Sequence, residues 1–178
     1  TNNNMVEYVD YFLNDMLGKN VVHAKDTPNF IANRIGVYGM NITLHESQKR
    51  NLSIEDVDAL TGTVIGRPKS ATFRTADVVG LDTMCFVSNT AYEKCIDDPE
   101  RDIFKLPDYI SKMVENKWLG QKTKQGFYKK IKDDNGKSVI MALNLKTLEY
   151  APSEKVKFET LDLAKVTDDL AERMRIVI

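Results

Sequence analysis

Apolar residues recur at helical spacing along most of the chain, and the pattern changes character only twice. Asn4 followed by Glu7 is a capping-box-like start, after which Met5, Val6, Tyr8, Val9, Phe12, Leu13, Met16 and Leu17 form one apolar stripe and Gly18 supplies a stop. Asn20 to Lys25 is short and β-branched and reads as a strand, closed by the turn residues Asp26, Thr27 and Pro28. A long helix is expected from Asn29 to about Arg50, carrying Phe30, Ile31, Ile35, Tyr38, Ile42 and Leu44. Ser53 with Asp56 opens a short helix, which Gly62 and the Gly66-Arg67-Pro68 turn break. Helices over Ala71–Val79 and Leu81–Ile96 meet at Gly80, and Pro107 stands at the start of another through Tyr109, Ile110, Met113 and Val114. From Gly126 the pattern becomes that of a hairpin, with Phe127–Ile131 and Val139–Leu143 about a turn at Asp133, Asn135 and Gly136. Helical spacing returns from Leu161 to Ile178. The class expected is mainly α, with a helix and strand before the helical centre and a hairpin and terminal helix after it.

Composition narrows the function. Lys+Arg 25 against Asp+Glu 26 leaves a net charge of -1, so no global basic field favours nucleic acid or an anionic bilayer. With 42% hydrophobic and 29% charged residues in 178 positions, the chain has the makings of one ordinary folded domain, with room for an attached lobe. No apolar run approaches the ~20 residues of a membrane span, and there is no signal-like start. A cytoplasmic protein is expected. Thr1 in place of a methionine and the apolar ending at Ile178 read as cuts within a longer polypeptide.

Chemistry-bearing residues are few. Cys85 and Cys95 lack metal-site spacing, so no metal is expected, and His23 and His45 have no partner at relay spacing and read as structural. The nine glycines form neither a GxGxxG nor a Walker loop, so any nucleotide would be held mainly elsewhere. The segment KDTPNFIANR (Lys25–Arg34) does place an amide and a guanidinium at the start of a long helix, directly after the expected strand. The carboxyl end of such a strand is where α/β sheets open a ligand crevice. On its own chemistry Asn33 reads equally as a helix-end hydrogen bonder and as a site residue, while Arg34 leans structural.

KDTPNFIANR, GRPKSATFRTADVVGLDT (Gly66–Thr83) and GQKTKQGFYKK (Gly120–Lys130) stand in the order and spacing of the C-terminal part of 3-hydroxyacyl-CoA dehydrogenases, which the chain thereby resembles. The resemblance implies a helical domain of the 6-phosphogluconate dehydrogenase C-terminal type over residues 26–131. Residues 1–25 would be the last helix and strand of an NAD-binding Rossmann domain. Residues 132–178 would be a hairpin and linker toward a following domain, as in multifunctional β-oxidation proteins that continue into an enoyl-CoA hydratase.

The same resemblance implies site roles. Asn33 matches the asparagine that faces the catalytic histidine and the substrate; Lys122 matches a lysine that reaches NAD; Pro68 and Phe73 match a stretch beside the acyl-CoA pocket. Lys69-Ser70-Ala71-Thr72 replaces a smaller glycine-proline step of the family, and Lys124-Gln125 replaces a glycine-acid pair. Neither His23 nor His45 matches the motif of the family's catalytic histidine, so the histidine, its glutamate and the glycine-rich loop would lie before Thr1. The function expected is therefore the substrate-binding and dimerising part of an NAD-dependent enzyme that oxidises 3-hydroxyacyl-CoA to 3-oxoacyl-CoA in fatty-acid β-oxidation. It would act as a homodimer, and the chain by itself would be inactive. The alternative is a non-catalytic helical association module with the same fold.

Overall fold

A computed structural model describes residues 2–177. Its first helix, α1 (Asn3–Tyr11), winds on as a π turn over Phe12–Met16. The cap is Asn2 rather than Asn4: its side-chain oxygen accepts the Asn4 N–H at 3.0 Å. Gly18, at φ +60°, ends the helix, with the Lys19 N–H returning to the Leu13 carbonyl at 2.8 Å. None of its residues is buried.

The strand expected over Asn20–Lys25 does not form. A strand needs a neighbour to take its N–H and C=O groups. Here the segment runs as irregular chain, held by the Val21 N–H on the Asn14 side chain at 3.0 Å. The long helix begins later than expected, as α2 (Ala32–Arg50), because Asn29 and Phe30 take left-handed φ values of 66° and 50° in a turn ahead of it. Asn51, also left-handed, ends α2, and the Leu52 N–H bonds back to Ser47 O at 2.9 Å.

Ser53 and Asp56 form the expected capping box of α3 (Ile54–Leu60), each side chain accepting the other's N–H. The helices α4 (Phe73–Val79) and α5 (Leu81–Lys94) meet at Gly80, whose φ of 94° turns the chain between them. Pro107 caps α6 (Asp108–Glu115) from an extended conformation. The hairpin is β1 (Tyr128–Lys132) and β2 (Ser138–Leu143), in antiparallel register Tyr128 to Ala142 and Lys132 to Ser138. A short third strand, β3 (Tyr150–Pro152), adds to β2 with Leu143 opposite Tyr150. Three residues are too few to show a period of two, so the sequence pattern does not reveal it.

The terminal helical stretch divides into α7 (Glu159–Lys165) and α8 (Leu170–Val177), because Asp169 accepts the Glu172 N–H at 2.8 Å and starts a new helix. Ile178, its expected last residue, lies outside the described residues. The architecture is thus mainly helical with a small antiparallel sheet. One core joins α2 to α6 and the sheet through Leu44, Ile54, Phe73, Leu81, Met84, Ile110, Met113, Phe127 and Leu143, all at most 2% exposed. The rings of Phe73 and Phe127 meet edge to face at 4.6 Å.

Two buried carboxylates join these elements. Asp77, on the inner side of α4, accepts the N–H groups of Phe127 and Tyr128 at 2.8 and 2.9 Å. The chain entering β1 comes so near that a Cβ on Gly126 would stand 2.0 Å from Asp77 Oδ1, and one on Gly120 would stand 2.3 Å from the Asp77 carbonyl. Only glycine fits at either position. Asp58, near the end of α3, accepts the N–H groups of Thr72, Phe73 and Arg74 at 3.1, 2.7 and 3.3 Å, so α4 is capped from outside its own sequence. The Tyr128 hydroxyl donates to Asp58 at 2.9 Å, and the Arg74 guanidinium lies 3.9 Å over the Tyr128 ring.

Burial pushes both carboxylates up, Asp77 to about 6, against the pull of the N–H groups they accept; Asp58 nearby adds to the rise at Asp77 and Arg74 opposes it. A folded-state value above the unfolded one means that the native protein binds the proton more tightly. The stability linked to Asp77 is then fully present below about 3.8 and lost as pH rises through about 6. Urea unfolding of wild type and Asp77→Asn at several pH values checks this. Wild-type stability relative to the variant should rise by about 2 kcal/mol from pH 7 to 4.5, and a flat or falling difference would contradict the assignment.

Candidate functional site

Through the two glycines, Asp77 fixes the turn that carries Lys122. Gly120 and Gln125 exchange backbone hydrogen bonds at 2.8 and 3.2 Å across Gln121–Lys124. Thr123 closes the turn from within: its hydroxyl donates to Gln125 O at 2.9 Å and accepts the Leu119 N–H at 3.0 Å. Lys122 therefore leaves a rigid base. Its ammonium bonds both carboxylate oxygens of Asp82 on the first turn of α5, close over Gly80, where an added Cβ would lie 3.2 Å from Nζ. The Lys122 hydrogen bond, more than its charge, holds Asp82 below the usual carboxylate range. Both side chains remain nearly half exposed, so an incoming polar group can share the lysine.

Asn33 lies on the first exposed turn of α2. If it served the helix end, its side chain would accept one of the free N–H groups there; α2 has no side-chain cap, and the Asn33 amide makes no hydrogen bond among the described residues. The start of α2 is instead tied down by its neighbours. Asn29 donates to Val87 O on α5 at 2.8 Å, and Arg34 pairs with Asp98, which its hydrogen bond holds low. Two turns further in, buried Asn41 donates to Ser88 at 3.2 Å, again between α2 and α5. Asn33 is thus an outward-facing amide on an immobilised turn, flanked by exposed Phe30, Ile31 and Ile35.

The other two residues fall elsewhere. Pro68 is exposed in the turn after Gly66, and Phe73 is fully buried against Phe127, where it can shape a wall but touch nothing outside the core. The clefts of about 660 and 880 Å³ on the surface are lined by none of Asn33, Pro68, Phe73 and Lys122. Sequence reasoning passed over Asp58, Asp77 and Asp82. The available signal was the position of Asp77, an acid between Ala76 and Val78 in a short apolar helix.

The remaining reactive groups have bland surroundings. His23 pairs with Asp10 at 2.8 Å on the surface, and His45 meets the Ile103 carbonyl at 3.2 Å. Cys85 and Cys95 are both free thiols, and burial pushes Cys85 up to about 11, far from a reactive thiolate. Among the described residues no cluster of metal-ligating side chains occurs, and no helix is long and apolar enough to cross a membrane.

Three comparisons with known proteins converge. A Bacillus subtilis (strain 168) protein named a probable 3-hydroxyacyl-CoA dehydrogenase is 44% identical over 178 residues, which are all of this chain and 22% of that protein. A Rickettsia prowazekii (strain Madrid E) protein, named as a fatty acid oxidation complex trifunctional enzyme, is 32% identical over 154 residues, 85% of this chain and 21% of that one. The chain thus spans about a fifth of the length of both relatives. The crystal structure of (S)-3-hydroxybutyryl-CoA dehydrogenase PaaH1 from Ralstonia eutropha superposes with a TM-score of 0.58 at 27% identity, covering 68% of this chain and 41% of that one. The model of the 3-hydroxyacyl-CoA dehydrogenase C-terminal domain matches residues 30–130, from the turn before Asn33 through the Lys122 turn and into β1. The chain belongs to the 3-hydroxyacyl-CoA dehydrogenase C-terminal domain family.

Proposed function

We propose that this chain is the substrate-side part of an NAD-dependent dehydrogenase that oxidises 3-hydroxyacyl-CoA to 3-oxoacyl-CoA during fatty-acid β-oxidation in the cytoplasm. The observation that carries the reading is the pair of polar groups presented on fixed backbone: the amide of Asn33, which has no partner among the described residues, and the shared ammonium of Lys122. Asn33 would orient substrate and proton acceptor, since a preorganised amide without an internal partner has a full hydrogen-bonding capacity to offer. Lys122 would contribute one contact to NAD from the edge of the α4–α5 junction. The residues present fit that limited part, because the Lys122 ammonium is nearly half exposed beside Asp82 and can take a further polar group. When bound, NAD supplies the hydride acceptor. Phe73 would support the acyl pocket from behind, with Pro68 on its rim.

On this reading the NAD loop, the catalytic histidine and its glutamate come from a preceding domain of a longer protein. Residues 1–25 are the last part of that domain, residues 26–131 the helical domain, and residues 132–178 the link toward an enoyl-CoA hydratase. The exposed apolar face of α1 and its π turn, with Met5, Tyr8, Phe12 and Met16, supports a neighbour there. The chain alone would have no turnover.

Kinetics of the full-length protein test the two roles against each other. Asn33→Ala should lower kcat by about tenfold to a thousandfold with unfolding unchanged, as for loss of one orienting hydrogen bond. Lys122→Ala should raise the KM for NAD with kcat nearly intact. Wild-type turnover in Asn33→Ala, or loss only through melting, would refute the role of Asn33.

We further propose that the protein pairs as a homodimer through this domain. Exposed Ile35, Val78, Val79 and Phe86, on α2, α4 and α5, support this. Sedimentation at concentrations on the order of tens of micromolar should give a dimer, and a monomer would contradict it.

A further inference from the structure

The loop between α3 and α4 carries Pro68 and is tied firmly only at its two ends. There the Thr61 and Thr72 hydroxyls meet at 2.8 Å, the Thr72 N–H donates to Asp58 at 3.1 Å, and the Thr75 hydroxyl donates to that of Ser70 at 2.8 Å. Further out, the Gly62 carbonyl accepts the N–H groups of Ile65 and Arg67 at 3.2 and 3.1 Å around a single 3-10 turn, Thr63–Ile65. Arg67, Pro68 and Lys69 are exposed, so this part of the loop has no core of its own. It is also strained. Ala71 takes φ 50°, a left-handed value that is costly for a residue with a Cβ, and it lies in the Lys69-Ser70-Ala71-Thr72 step that departs from the family. Such a conformation persists where the surroundings over-determine it.

The outer support comes from the C-terminal helices. Both α7 and α8 pack on the Thr63–Ile65 turn, α7 with Leu161 and Ala164 buried. Leu170, the first residue of α8, lies directly on Gly66: its methyl carbons would stand 3.0 and 3.2 Å from a Cβ added there. Gly66 turns the chain at φ 75°, so glycine serves both the turn and the close approach of the leucine. The contact joins two parts of the chain that have different standing. Gly66 and Pro68 fall within residues 30–130, which match the dehydrogenase domain, whereas α7 and α8 lie beyond them.

We propose that Leu170 is a positioning residue for the acyl site: by bracing Gly66 it fixes where Pro68 stands on the rim, so that the acyl-chain length the enzyme prefers depends on α8. The acyl role rests on the reading of Pro68 and Phe73 given above; the bracing of the loop by α8 does not. Leu170 touches no reacting group, so its loss leaves the chemistry in place and changes which chains fit. A rim that yields loses discrimination between substrates differing only in methylenes, because such discrimination comes from packing against a wall that holds its place.

Two measurements test the proposal. In the 178-residue chain, amide hydrogen exchange at Gly66 and Arg67 should quicken by about tenfold or more in Leu170→Ala while Met84 and Ser88 of α5 keep their protection, and Leu170→Met should restore slow exchange. In the full-length protein, Leu170→Ala should hold kcat on the preferred substrate within about twofold but shift the ratio of kcat/KM between 3-hydroxybutyryl-CoA and 3-hydroxydodecanoyl-CoA by at least about fivefold, through KM. Leu170→Met should stay near the wild-type ratio, as should Val166→Ala, a change at a residue 83% exposed between α7 and α8. Unchanged exchange at Gly66 and Arg67, or loss of α5 protection along with theirs, would overturn the bracing. An unchanged ratio, an equal fall of kcat on both substrates, or the same shift in Val166→Ala would overturn the part in specificity. Full-length wild type without turnover of either substrate would overturn the dehydrogenase reading and the acyl role with it, and the exchange result would still decide the bracing.

Discussion

The carboxylate of Asp77 is the constraint on which the rest of the structure depends. An ionised side chain that is 6% exposed is costly, and burial raises its affinity for a proton accordingly. Its two oxygens offset part of that cost by accepting two consecutive N–H groups, those of Phe127 and Tyr128, just where the chain leaves a turn and enters β1. A neutral amide has one oxygen and would set its NH₂ against the second N–H. The geometry requires a short acid, two glycines that let the backbone approach, and an aromatic pair that seals the joint with Phe73. Sequence positions 50 residues apart are thereby held as one body.

Function on the proposed reading follows from that rigidity. Lys122 emerges from a turn whose two ends are clamped, and Asp82 steers its ammonium to the mouth of α5. Asn33 reaches the surface from a different direction, on a helix start tied by Asn29 and Arg34 to α5 and to the loop at Asp98. Both groups are thus referred to the same helix, α5, which packs in the core through Leu81, Met84 and Ser88. Orienting groups work only when their own positions are settled in advance, and here packing and hydrogen bonds on the far side of each element settle them.

Much of this was legible in the sequence. Periodicity located the central helices, Ser53 and Asp56 announced their capping box, Gly80 its corner, and Asp133 to Gly136 the hairpin turn. The blocks around Asn33 and Lys122 pointed to the family that the comparisons then showed. What stayed hidden was tertiary. The segment 20–25 has the composition of a strand, but composition carries no information on whether a partner lies alongside. The late start of α2 depends on left-handed turns at Asn29 and Phe30, and of the two only Asn29 is of a type that favours that conformation. Asp58 looks like a solvated helix acid, and Asp77, though its apolar neighbours mark it, does not reveal its partners until the backbone N–H groups that meet them, up to 51 residues away, are brought near.

The most direct test of this account is amide hydrogen exchange at Phe127 and Tyr128, measured against the core amides of α5. If the buried carboxylate joins α4 to β1, those two amides should exchange as slowly as those of Met84 and Ser88 and only through global unfolding, and Asp77→Ala should release them first. Exchange at the rate of the exposed hairpin turn near Asn135, with α5 still protected, would show that the joint opens locally and that Asp77 does not hold the domain together.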